Sequence, residues 1–127
     1  MVDLVTGKVV RDKIPSILAD AGLKIEVRTL SEWEAYEALI DKLSEEGVEM
    51  VEAINAYGRG EAYDGIENNV RGVAEEIVDI IEVLMGIGKL FNILPEDIQE
   101  VMDRKYEERG GYDEVLFVRL LDGTEKD

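Results

Sequence analysis

Between Val70 and Phe91 the chain carries a stretch that is apolar most of the way round a helix, with one acid set among the apolar residues. At roughly 100° per residue, Ile77, Ile80, Ile81, Val83, Leu84, Ile87 and Phe91 cover most of the circumference, and Glu76 falls inside their arc. Asp79 lies at its border. A helix apolar on nearly every side has to be buried on several sides. A lone ionised carboxylate in such surroundings is costly unless a positive charge compensates it. The stretch therefore asks for a helical bundle and for a counter-charge at Glu76. A salt bridge from Lys42 or Arg71 would serve, and so would a metal ion.

A second helical stretch, from Ser31 to about Tyr57, repeats the arrangement in a milder form. Ser31-x-x-Glu34 has the form of a capping box, and Gly58 and Gly60 mark the far end. Leu39, Ile40, Leu43, Met50, Val51 and Ile54 make one stripe, with Glu46 and Glu49 at its edge and Glu45 and Glu52 further towards water. Residues three apart are neighbours on one helix face. Glu46/Glu49 and Glu76/Asp79 thus each present two carboxylates the same way. Such spacing is also common on solvated faces. Two pairs on the core edges of adjacent long helices nevertheless point to a hard divalent cation, which takes oxygen ligands.

The remaining chain fills in around these two helices. Arg11 to Ala21 reads as a short helix ended by Gly22, and Pro95 opens another that stops at Gly110-Gly111. Lys24 to Leu30 alternates in the manner of a strand, Val115 to Leu121 is a second strand candidate, and residues 59–69 read as a polar loop. The expected fold is a single, mainly α domain over residues 1–127. Two long antiparallel helices and shorter ones form a bundle, with a small two-stranded β element. Val48, Val78 and Met85 project apolar side chains away from the main stripes, so the bundle is expected to be completed by oligomerisation.

Composition limits the chemistry. The chain has no cysteine and no histidine, which removes thiol nucleophiles, Ser-His-Asp arrangements and histidine-ligated metals. Its formal charge is −16, from 30 acids and 14 bases, and such a surface repels nucleic-acid polymers and anionic membranes. An anionic small substrate needs bound cations as a bridge. With no apolar run of membrane-spanning length and no signal-peptide pattern, a cytoplasmic protein is expected.

Lys42-Leu43-Ser44-Glu45-Glu46-Gly47-Val48-Glu49, followed by Glu75-Glu76-Ile77-Val78-Asp79-Ile80-Ile81-Glu82, resembles the Glu-x-x-Glu … Glu-x-x-Asp signature of the all-α NTP pyrophosphatase superfamily. This is the MazG-like group that also holds dimeric dUTPases and phosphoribosyl-ATP pyrophosphohydrolase. Lys8-Val9-Val10-Arg11-Asp12-Lys13-Ile14-Pro15 is similar to the N-terminal motif of a small phosphoribosyl-ATP-pyrophosphohydrolase-like branch. Lys105 with Glu107-Glu108-Arg109-Gly110-Gly111-Tyr112 resembles that branch's C-terminal motif.

The resemblance implies Glu46, Glu49, Glu76 and Asp79 as magnesium ligands, with manganese as a possible substitute. The reaction implied is attack of water on the α-phosphorus of a nucleoside triphosphate, releasing a nucleoside monophosphate and pyrophosphate. Glu46 or its neighbour Glu45 would take the water's proton. Arg11, Lys13, Lys105 and Arg109 are candidates to hold the phosphates, with surface charge or helix capping as the plain alternative for each. Trp33 and Tyr36 are candidates to flank a base, or simply aromatic filling. Family members are usually dimers or tetramers, so a homodimer or homotetramer is implied. One departure is Gly47, where the family commonly has a bulkier helix former and where glycine weakens a helix.

The expected function is house-cleaning of non-canonical nucleotides. The alternatives are phosphoribosyl-ATP hydrolysis in histidine biosynthesis and a non-catalytic helical dimerisation or regulatory module.

Overall fold

A computed structural model describes residues 7–62 and 70–121. Four helices follow in order: α1 (Ile14–Asp20), α2 (Glu32–Gly58), α3 (Arg71–Leu90) and α4 (Pro95–Arg109). The chain divides into two compact units, Met1–Leu94 and Pro95–Asp127.

In the first unit, α2 begins at a complete capping box. The Ser31 hydroxyl accepts from the Glu34 amide at 3.2 Å, and the Ser31 amide donates to Glu34 Oε1 at 3.0 Å. Arg28 grips the same carboxylate at 3.1 and 3.2 Å. Pro15 sits in the first turn of α1, and Gly22 just past its end takes the left-handed φ of 85° that favours glycine.

α2 and α3 pack along their length and run antiparallel, as three contacts establish. Tyr36 meets Phe91 edge-on, with ring centroids 6.1 Å apart. The Leu39 side chain lies 3.6 Å from where a Cβ on Gly86 would be. Glu46 approaches Glu76 and Asp79. As numbers rise along one helix they fall along the other.

The contact faces keep only part of the expected stripes: Val83 is buried and Leu39 packs over Gly86, while other members lie outside. On α2 the buried residues are Glu46, Ala53 and Ala56, while Ile40, Val51 and Ile54 face outward. On α3 they are Gly72, Glu76, Val83 and Gly88, while Ile77, Val78, Ile81 and Leu84 face outward. Each helix has turned its smallest residues and its acid towards the partner. Alanine and glycine allow two backbones to come close, and several of the bulkier residues are left outside. Glu46 therefore sits in the contact rather than at its edge.

The second unit consists of α4 and the chain after it. Pro95 opens α4 with Glu96 and Asp97 in its first turn and Arg109 in its last, the charge order a helix dipole prefers. Gly110, at a φ of 78°, ends it.

The expected β element is absent: no strand occurs among the described residues. Among the described residues, Lys24 to Leu30 and Val115 to Leu121 find no partner to complete a ladder, and an unpaired extended segment is not a sheet. Leu23, Ile25 and Val27 are exposed, as are Val115 to Val118, and Val115 has a φ of 48° that interrupts any strand there. The alternation of Lys24 to Leu30 does not by itself make a strand. Of the expected 59–69 loop, residues 63–69 lie outside the described residues.

Candidate active site

The antiparallel register brings the two acidic runs together. Carboxylate oxygens of Glu46, Glu76 and Asp79 all lie within 4.8 Å of one another, and so do those of Glu45, Glu46 and Glu49. Glu46 is 5% exposed and Glu76 6%. Two ionised carboxylates at that separation repel by about 3 kcal/mol at an effective dielectric of about 20. Burial pushes the Glu76 carboxyl up to about 7, assisted by a hydrogen bond with Glu46 and by the charges of Glu46, Glu49 and Asp79. Glu49 is raised too, first by burial and then by Glu46 and Glu45.

Basic side chains reach the flanks of this cluster. Lys42 Nζ lies 3.2 Å from Glu45 Oε1 and 3.1 Å from Glu46 Oε1, one turn away on α2. Burial disfavours the Lys42 ammonium, but hydrogen bonds to Glu46 and Glu45 outweigh it, and the net shift is upward. Arg11 arrives from the segment before α1. Its Nη2 donates to Asp79 Oδ1 at 2.5 Å and its Nη1 to Glu82 Oε1. The ion pair to Glu76 from Lys42, one of the alternatives open in the sequence, is not what forms: Lys42 is drawn to Glu45 and Glu46.

Three carboxylate oxygens remain buried without a hydrogen-bond partner: Oε2 of Glu46, of Glu49 and of Glu76. Buried acceptors are nearly always satisfied, so three orphans in one cluster call for a cation. The donor set fits a hard one. In an octahedral magnesium shell with bonds of about 2.1 Å, opposite oxygens are about 4.2 Å apart, and these groups already lie near that spacing.

Beside the acids is a cavity of about 400 Å³. Val9, Ile14, Leu39 and Val83 make its apolar wall, and Lys8, Arg11, Lys42, Glu46, Asp79 and Glu82 its polar one. The structure thus brings Arg11, Glu46 and Asp79 to one cavity. Lys13 is exposed at the N-cap of α1 and does not line it. Lys105 and Arg109 lie exposed on α4 in the second unit. Trp33 and Tyr36 stack on each other at 5.6 Å rather than lining the cavity. Lys8, Lys42 and Glu82 also line the cavity, beyond the site residues that the sequence points to. Helical spacing announces the Lys42 contacts, since i to i+3 and i+4 side chains meet. Nothing local announces Arg11 against Asp79, 68 positions away.

A close-packed helical hairpin with facing acid pairs and an adjoining cavity suits hydrolysis of a phosphate anhydride. The profile of the phosphoribosyl-ATP pyrophosphohydrolase family matches residues 26–106, well over half of the chain, running through α2 and α3 and most of α4. The chain belongs to that family, and it is a pyrophosphohydrolase, a hydrolase acting on the phosphoric anhydrides of nucleotides. The non-catalytic module is set aside on that ground. No curated protein and no solved structure matches the chain. Among the described residues, no helix is long and apolar enough to cross a membrane.

Proposed function

We propose that the protein is a magnesium-dependent nucleoside triphosphate pyrophosphohydrolase that releases a nucleoside monophosphate and pyrophosphate and clears non-canonical nucleotides from the cytoplasm. The observation that carries this reading is the trio of buried, partnerless carboxylate oxygens on Glu46, Glu49 and Glu76. With Asp79 these residues form the ligand set, and manganese can replace magnesium. A divalent ion held there supplies charge neutralisation at phosphate and a water of lowered pKa. Glu46 commits its free oxygen to the ion, which leaves Glu45, half-buried beside Lys42, as the better placed base for the attacking water. Arg11 and Lys8 line the cavity and hold the phosphates; Lys13, Lys105 and Arg109 are further candidates.

A second reading, hydrolysis of phosphoribosyl-ATP in histidine biosynthesis, is favoured by the family description itself, which names that substrate. A panel of canonical and damaged nucleoside triphosphates and phosphoribosyl-ATP, assayed with magnesium, separates the two. House-cleaning predicts turnover of free triphosphates with monophosphate and pyrophosphate as products. Turnover of phosphoribosyl-ATP alone moves the assignment to the second reading, and diphosphate plus phosphate as products rejects both.

The assembly belongs to the same proposal. Among the described residues, Ala53, Ala56 and Val83 are the only buried hydrophobic ones, too few to hold a helical pair by themselves. Val48, Val51 and Ile54 on α2 and Ile77, Val78, Ile81 and Leu84 on α3 stand exposed. Further copies of the chain cover these faces in a homodimer or homotetramer.

A further inference from the structure

The acid cluster has its own cations on two flanks, and they are attached differently. Lys42 is part of α2 and meets Glu45 and Glu46 by helical geometry, with its side chain 26% exposed. Arg11 belongs to the coil before α1 and is 54% exposed, with one guanidinium nitrogen on Asp79 and the other on Glu82. Asp79 is also one of the three acids whose oxygens converge within 4.8 Å. Asp79 thus stands between a guanidinium on one side and the carboxylates of Glu46 and Glu76 on the other.

We infer that Arg11 is the stand-in cation of this site: it holds Asp79 while no divalent ion is bound, and passes its two-pronged grip to the nucleotide phosphates when Asp79 turns inward. The inference rests on Asp79 being a ligand, and it goes beyond that reading by giving residues 8–14 a position that depends on the ion. Two positive groups on one small carboxylate repel each other at close range. The guanidinium is the one free to leave, because water reaches it and its backbone lies in no helix. Its geometry suits the exchange, since a planar fork that fits a carboxylate also fits a phosphate. Lys8 and Val9, which line the cavity with Arg11, then move with it.

Competition of this kind lowers apparent metal affinity by the fraction of molecules in which Asp79 is free. Magnesium binding to the whole chain is measured by calorimetry for the unaltered protein, Arg11→Gln and Arg11→Lys, with folding checked by circular dichroism. Arg11→Gln is expected to bind about tenfold tighter, as for a clamp closed in about nine molecules of ten. Arg11→Lys keeps the charge but loses the fork, and it should also bind more tightly, by a smaller factor. In the unaltered chain, magnesium without nucleotide should speed hydrogen exchange of the amides of residues 8–14. Arg11→Lys binding magnesium no more tightly than the unaltered chain, or exchange over residues 8–14 unmoved by magnesium, overturns the inference. Glu76→Gln tests the metal reading separately: it should remove magnesium binding with Arg11 intact. If none of the chains with intact acids binds magnesium, the inference falls together with the metal reading.

Discussion

Glu76 is the residue at which sequence, burial and charge come together. It lies in the α2–α3 contact, surrounded by Glu46, Glu49 and Asp79, and keeps a proton up to about pH 7. Replacing it by glutamine removes a proposed ligand while retaining shape. Changes in the groups behind a metal ligand already cost about 10–100-fold in affinity or activity, so Glu76→Gln should lower turnover by at least about a hundredfold. Its melting temperature in chelator should equal or exceed that of the unaltered chain, because a repelling carboxylate is gone; a melt and a steady-state assay on one preparation check both.

The raised carboxyl also sets a pH dependence. Folded, it titrates near 7, and unfolded near 4.5. Between those values the folded state holds a proton that the unfolded state has released, so stability is greatest at the low end and declines as pH rises. Glu34, lowered to about 2 by hydrogen bonds from Arg28 and the Ser31 amide, has the opposite sign. Its contribution is present above 4.5 and is lost only as the pH falls towards 2. Melts in chelator should therefore show the melting temperature falling from about pH 5 to about pH 7.5. Magnesium should raise it most at the alkaline end, where the ligands are ionised.

Helix boundaries were readable because their signals are local. Ser31 and Glu34, Pro95 with its following acids, and Gly22 and Gly110 each act within a few residues of themselves. Ser31→Ala should destabilise the protein by about 1 kcal/mol through loss of the cap, measurable as a lower urea midpoint with unchanged slope. The facing sides of α2 and α3 were harder. Hydrophobic periodicity favours the stripe with the largest residues, of which Val83 is buried, whereas the hairpin otherwise closes on Ala53, Ala56, Gly72, Gly88 and the two acids. Gly47 has open space around the position of a Cβ, so close packing within the chain does not account for it. Gly47→Ala should stabilise α2 by about 1 kcal/mol, read from the same urea titration.

In the proposed assembly a second copy covers the two outward apolar helix faces, which leave few hydrophobic side chains buried among the described residues. Sedimentation should find a dimer or larger species, and Ile81→Asp should shift it towards monomer with a lower melting temperature. An unaltered chain that stays monomeric at high concentration counts against the assembly.

By itself the sequence determined the helices, their caps and the four acids, because each depends on spacing along one helix or on chemistry within a turn. Missing histidine and cysteine narrowed the reaction in the same direct way. Only tertiary structure decided that Glu46 is buried, that the two strand candidates find no strand partner among the described residues, and that Arg11 reaches Asp79. Each of these depends on which distant segment stands alongside, and the pattern of residues within one segment carries no record of its neighbour.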